Sequence, residues 1–147
     1  MNKSIFVWLC LGFIWGGCEP DIPADDEVLE PLSEIPKMVS ADIRLEDNAY
    51  WLQVTVEDGD GNIGTTDPDD QIVRVVDGRD PSIVVFYPLP PVAPLGDRVA
   101  VRAHFDLELI KPESTINGSS SWFCRVSVMD RSLNLSDTLE TNIVNLN

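Results

Sequence analysis

Histidine occurs once and cysteine three times in 147 residues. One histidine, His104, together with a core-facing Cys124 cannot supply the three or four ligands of a zinc centre. No Gly-x-Ser-x-Gly run marks an activated serine. Carboxylates are so numerous, 25 in all, that a close pair of them would not signal glycoside hydrolysis without a cleft. The chain therefore reads as non-enzymatic, with a small cell-surface hydrolase as the alternative from another class. Bases are scarce too, ten against those 25 acids, which argues against nucleic acid as a partner. The longest apolar run, Ile5 to Gly17, has 13 residues, short of the roughly 20 that a spanning helix needs. Cys10 lies inside that run and Cys18 ends it, so Cys124 has no partner for an intramolecular disulfide and the fold must rest on its core.

What is present at the start is a basic residue, Lys3, then the apolar run, then Trp15-Gly16-Gly17-Cys18 and an abrupt turn to acid. That is the layout of a cleaved secretory signal, residues 1–17. Small residues directly before a cysteine resemble the lipobox of bacterial lipoproteins, although Trp15 stands where that family has leucine. The resemblance implies that Cys18 becomes a lipidated (acyl, such as palmitate) N-terminus that ties the chain to a membrane, and two or more acyl chains hold stably. Losing residues 1–17 removes Lys3 and no acid, leaving 25 acidic and 9 basic residues, a formal charge of −16. Residues 18–36 form an acidic, proline-rich tether; Glu19 to Pro36 alone holds seven acids, four prolines and no base, a composition that stays extended.

Beyond Pro36 the apolar period is two. Val39, Ala41, Ile43 and Leu45 alternate with polar residues, as do Tyr50, Leu52, Val54 and Val56, then Val99 to Leu109, then Trp122, Cys124, Val126 and Val128. Shorter apolar runs lie at Ile72 to Val76, Ile83 to Tyr87 and Leu139 to Leu146. About seven strands in residues 37–147, with no helical window, predict a single all-β domain, an antiparallel β-sandwich.

Two stretches, Tyr50 to Gly64 (YWLQVTVEDGDGNIG) and Phe123 to Leu146, resemble small lipoproteins of Bacteroidota that carry an immunoglobulin/fibronectin-like sandwich. In that group a strand runs into a DGDGxIG turn, and an Asp-Arg-x-x-Asn-x-Ser turn, here Asp130, Arg131, Asn134 and Ser136, sits between the last strands. The resemblance implies the sandwich fold and an outer-membrane, lipid-anchored, surface-exposed location, with the acids after Cys18 as the export signal. It implies no activity. It also implies an envelope in which Asp-Thr-aliphatic is an O-glycosylation signal, matched by Thr138 in Asp137-Thr138-Leu139.

The turn itself has two readings. An EF-hand loop starting at Asp58 would need Gly where Ile63 stands and Glu where Asp69 stands, and a helix where the pattern is a strand. A looser calcium site could draw oxygens from Asp58, Asp60, Asn62, Asp67 and Asp69. The simpler reading is a turn, in which Gly and Asn accept positive φ and Ile63 plugs the core. For partner contact, the loop Phe86 to Gly96 is rich in proline, and Leu89, Val92 and Leu95 on it either dock a protein or fold over one end of the sandwich. Trp51 lies in register with the polar Gln53 and Thr55, so it can face solvent and stack on a sugar. The expectation is a lipid-anchored envelope module that binds a protein, with a calcium-stabilised carbohydrate-binding module as the alternative.

Overall fold

The computed structural model describes residues 31–146; the signal sequence, Cys18 and the tether as far as residue 30 lie outside the described residues. Those residues form nine strands and no helix. In chain order they are β1 (Lys37–Glu46), β2 (Ala49–Asp58), β3 (Gln71–Asp77), β4 (Val84–Pro88), β5 (Val101–Leu109), β6 (Ser121–Trp122), β7 (Cys124–Val128), β8 (Leu139–Glu140) and β9 (Val144–Asn145). One sheet has the order β1-β2-β5 and the other β4-β3-β7-β8, every pairing is antiparallel, and β6 and β9 form a small separate ladder. The expected all-β sandwich is what forms.

The core lies where the two apolar faces meet. Leu52, Val54 and Val56 of β2 pack with Val73 and Val75 of β3 and with Cys124, Val126 and Val128 of β7. Alternation puts these side chains on one face, and joining two such faces removes both from water. β1 joins β2 through Asp47-Asn48, two residues with φ of 50° and 64°. Positive φ at both positions is the mirror-image turn whose twist suits a two-residue hairpin.

Three details depart from simple alternation. Val39 is a bulge between the pairs Met38↔Val56 and Ser40↔Thr55, so Met38 points inward and Val39 out. β5 begins at Val101, and Val99 is an exposed loop residue. The expected strand from Trp122 to Val128 is interrupted at Phe123: Trp122 pairs with Val144, whereas Cys124 pairs with Asp77. The break, with the division of Leu139–Leu146 into β8 and β9, turns about seven expected strands into nine.

Candidate functional site

The sequence points first to the end of the sandwich where β2 runs into Asp58. There the two motif turns meet. Asn62 accepts a backbone hydrogen bond from the N–H of Arg131 (3.2 Å) and donates from Nδ2 to Ser132 Oγ (3.0 Å), while Arg131 Nη1 donates to the carbonyl of Gly64 (3.0 Å). Each turn also folds on its own Asx bonds. Asp58 Oδ2 accepts from the N–H of Asn62 at 2.9 Å, and Asp130 Oδ1 accepts from the N–H of Asn134 at 2.7 Å. Asp58 and Asp130 are fully buried, 0 % and 1 % exposed. Among the described residues neither makes an ion pair. Burial, reinforced by the nearby carboxylates of Asp60 and Asp130, outweighs the Asn62 hydrogen bond and pushes the Asp58 carboxyl up to about 6. Oδ1 of Asp58 and Oδ1 of Asn62 are buried without a hydrogen-bond partner.

The calcium set expected from sequence does not assemble as a whole. Among the described residues no three acidic, histidine or cysteine side chains surround a common point. Asp67 Oδ1 accepts from the N–H of Asp69 (2.9 Å), and both residues are exposed in a turn of their own. Ile63 is fully buried, as the turn reading requires.

The proline-rich loop folds over this end of the molecule. Leu89 is 4 % exposed, its carbonyl accepts from the N–H of Thr65, and the N–H of Val92 donates to the carbonyl of Ile63. Val92 packs against the core and Leu95 alone stays exposed. Of the two readings of this loop, folding over one end of the sandwich holds for Leu89 and Val92, which help close the core, and only Leu95 remains for a docking contact.

Trp51 occupies the outer face of β1-β2-β5, half-buried, between Arg44 of β1 and Glu108 of β5. The next rows along that face are Asp42, Gln53 and Asp106, then Ser40, Thr55 and His104. Arg44 Nη2 (3.1 Å) and Gln53 Nε2 (3.2 Å) both donate to Asp106, and Ser40 Oγ donates to Thr55 Oγ1, which lies 2.8 Å from His104 Nδ1. These two rows line a shallow polar depression of about 390 Å³. The hydroxyl beside His104 belongs to Thr55, a residue only 7 % exposed. Thr138 is exposed just before β8, next to Asp137, whose Oδ1 accepts from the N–H of Met38 (2.8 Å).

The site that sequence reasoning missed lies at the opposite end. β4 and β5 are the outer strands of their sheets on the same side of the sandwich, because β1 and β8 are in contact on the other side. Between them opens a cleft of about 360 Å³, walled by Val75, Val85, Tyr87, Leu109, Ile110 and Trp122. Val85 and Tyr87 on β4 and Phe105 and Leu107 on β5 are half-buried, whereas Leu109 at the end of β5 is buried. Ile110 at the rim is 67 % exposed. Tyr87 Oη accepts from the N–H of Ile110 (3.0 Å), and burial raises its phenol.

A buried ion pair holds the end of the cleft. Arg79 Nε and Nη2 reach the two carboxylate oxygens of Asp77 at 3.0 and 2.8 Å, and Nη1 donates to the carbonyls of Glu113 and Ser119. Burial alone would raise the Asp77 carboxyl, but the hydrogen bonds from Arg79 hold it below its ordinary value. Cys124 sits on the cleft floor, and burial, with Asp77 nearby, pushes its thiol up to about 12. No motif announces this cleft. No protein family, curated protein or solved structure matches the chain.

Proposed function

We propose that the protein is a non-enzymatic binding module, an immunoglobulin-like sandwich held to the outer membrane by a lipid on Cys18, that grips an extended segment of a partner protein in the cleft between β4 and β5. The observation that carries this reading is the pairing of an apolar cleft with two strand edges that have no partner strand among the described residues. An incoming strand would find unpaired backbone N–H and C=O groups on an edge and a pocket for its apolar side chains, the two components of recognition by strand addition. The cleft volume falls within the range of well-formed binding pockets. Exposed Ile83 and Ile110 extend the apolar surface at its rim.

The position of the tether supports the same reading. The N–H of Gly59 donates to the carbonyl of Ser33 (2.7 Å), so the chain leaves towards Cys18 from the Asp58 end. The cleft wall at Leu109 pairs with Tyr50, at the far end of β2, roughly 30 Å away for a ten-residue strand. A lipid-held molecule would thus present the cleft away from the tether attachment.

Site-specific photo-crosslinking in intact cells tests the proposal. A crosslinker at Ile110 is expected to trap one discrete protein, and the same group at the exposed Leu133, at the other end, is not. Val85→Glu should abolish the Ile110 adduct while the purified protein still melts cooperatively. Equal adducts from both positions would sink the cleft as the contact.

A second reading has its own observation. Trp51 beside the polar rows of Gln53, Asp106, Arg44 and His104 is a platform of the kind that stacks and hydrogen-bonds a sugar. It predicts retardation in polysaccharide-containing native gels that Trp51→Ala abolishes; unchanged mobility of the variant would remove Trp51 as a ligand contact.

A further inference from the structure

We infer that the meeting point of the two motif turns binds a single calcium ion, held by Asp58, Asn62 and Asp130 with Asp60 at its border, and that Asp67 and Asp69 take no part. The argument starts from a charge imbalance. Asp58 and Asp130 are buried on neighbouring turns, and no ion pair among the described residues neutralises either. Buried carboxylates in folded proteins are paired, hydrogen-bonded through their oxygens, or bound to a metal. Both Asp130 oxygens accept from Asn134, at 2.7 and 2.8 Å. One Asp58 oxygen accepts from Asn62; the other has no partner.

Two orphaned atoms decide what kind of ligand is missing. Asp58 Oδ1 and Asn62 Oδ1 are both acceptors, both buried, and lie in the same five-residue turn. The Asn62 amide is oriented by its Nδ2, which donates to Asp60 Oδ2 and to Ser132 Oγ at 3.0 Å each, so its oxygen is left over. A proton on Asp58 would turn that orphan into a donor, towards Asp60 or the Asn62 amide, but would leave the charges of Asp60 and Asp130 unbalanced. A cation draws on both orphaned oxygens and balances that charge as well.

Calcium is the chemical class that fits, because the donors are carboxylate and amide oxygens without nitrogen or sulfur. Three carboxylates do not converge in advance, so the ion must complete its six to eight ligands with the amide, backbone carbonyls and water. A site of that kind belongs with the weak extracellular modules, with dissociation constants on the order of 0.1–1 mM.

The experiment is equilibrium dialysis of the full chain against calcium after chelator treatment, paired with thermal melts with and without roughly 5 mM calcium, above that affinity range. One ion per chain and a rise of several degrees in the midpoint are expected. Asp58→Asn, close to isosteric, should lose both while raising the midpoint in chelator, because a buried negative charge is gone. Asp67→Asn with Asp69→Asn should bind as the parent does. Calcium binding abolished by the Asp67 and Asp69 pair but retained by Asp58→Asn would overturn the assignment. So would a parent that neither binds nor shifts, even with an Asp58→Asn chain more stable in chelator, since Asp58 would then be a site for a proton.

Discussion

Single residues already show how the environment decides chemistry. Cys124 is a lone thiol, but its pKa near 12 leaves almost no thiolate at neutral pH. It is expected to resist iodoacetamide at pH 7.5 in the folded chain and to react in urea, as read by intact mass; rapid labelling of the native chain would contradict that burial. Asp77 behaves oppositely. Its carboxyl is held below the ordinary value, so the stability it adds is present above the unfolded value of 3.8 and is lost as pH falls through the lower folded value. Asp77→Asn strands Arg79, whose side chain is almost fully buried, at a cost of about 3–5 kcal/mol at pH 7. In urea titrations that gap should narrow at pH 3 and below; a gap independent of pH would mean that the charge on Asp77 is not its source. Leu133, at φ 66° and 74 % exposed, holds a left-handed backbone with little of its side chain buried. Leu133→Gly should therefore stabilise by about 1 kcal/mol, visible as a higher melting temperature.

At the scale of elements, the proline-rich loop is part of the core wall. Proline keeps its backbone out of the sheets, yet Leu89 and Val92 still reach the core because Thr65 and Ile63 pair with the loop backbone. Gly64 (φ 84°) lies so close to the backbone of Pro90 that a side chain there would collide with it. Leu89→Ser is consequently expected to destabilise by about 2–4 kcal/mol in chemical unfolding, the cost of emptying a buried leucine site. A variant with unchanged stability would return Leu89 to the surface and to partner contact. The edge strands β4 and β5 differ from the other long strands because, among the described residues, no further strand pairs with their outer edges: Val85 and Tyr87 of β4 and Leu109 of β5 line a cleft, whereas the inward positions on β2, β3 and β7 face each other.

For the whole molecule, the two ends are unlike in chemistry. One carries the buried acids, the covering proline loop and the point where the chain leaves towards Cys18. The other carries an apolar cleft braced by the Asp77–Arg79 pair. Within the described residues the connection between the ends is the close-packed core of β2, β3 and β7, and a ligand at one end alters the other only if an element between them has two arrangements. If the calcium and cleft readings both hold, calcium should raise the melting temperature without changing the Ile110 crosslink yield. A yield that falls in chelator would instead show that the ends are coupled.

Much of this architecture was legible in the chain because a period of two assigns each side chain to a face without reference to its neighbours. Ala41, Ile43, Leu52, Val54 and Val126 follow that rule, and so does the interior place of Cys124. The rule fails where pairing is a tertiary matter. The bulge at Val39 and the break at Phe123 depend on which strand lies alongside, and the burial of Leu89 depends on what the loop meets when it folds back. Asp58, Asp60 and Asn62 could be picked out as oxygen donors from their spacing alone. Asp130 joins them only because two turns about seventy residues apart close over the same end of the sandwich, and Asp67 and Asp69 drop out because their own turn consumes them. The cleft has no sequence signature at all. It arises where two half-apolar edge strands are left on the same side without a further strand between them, a property of sheet order that no local pattern encodes.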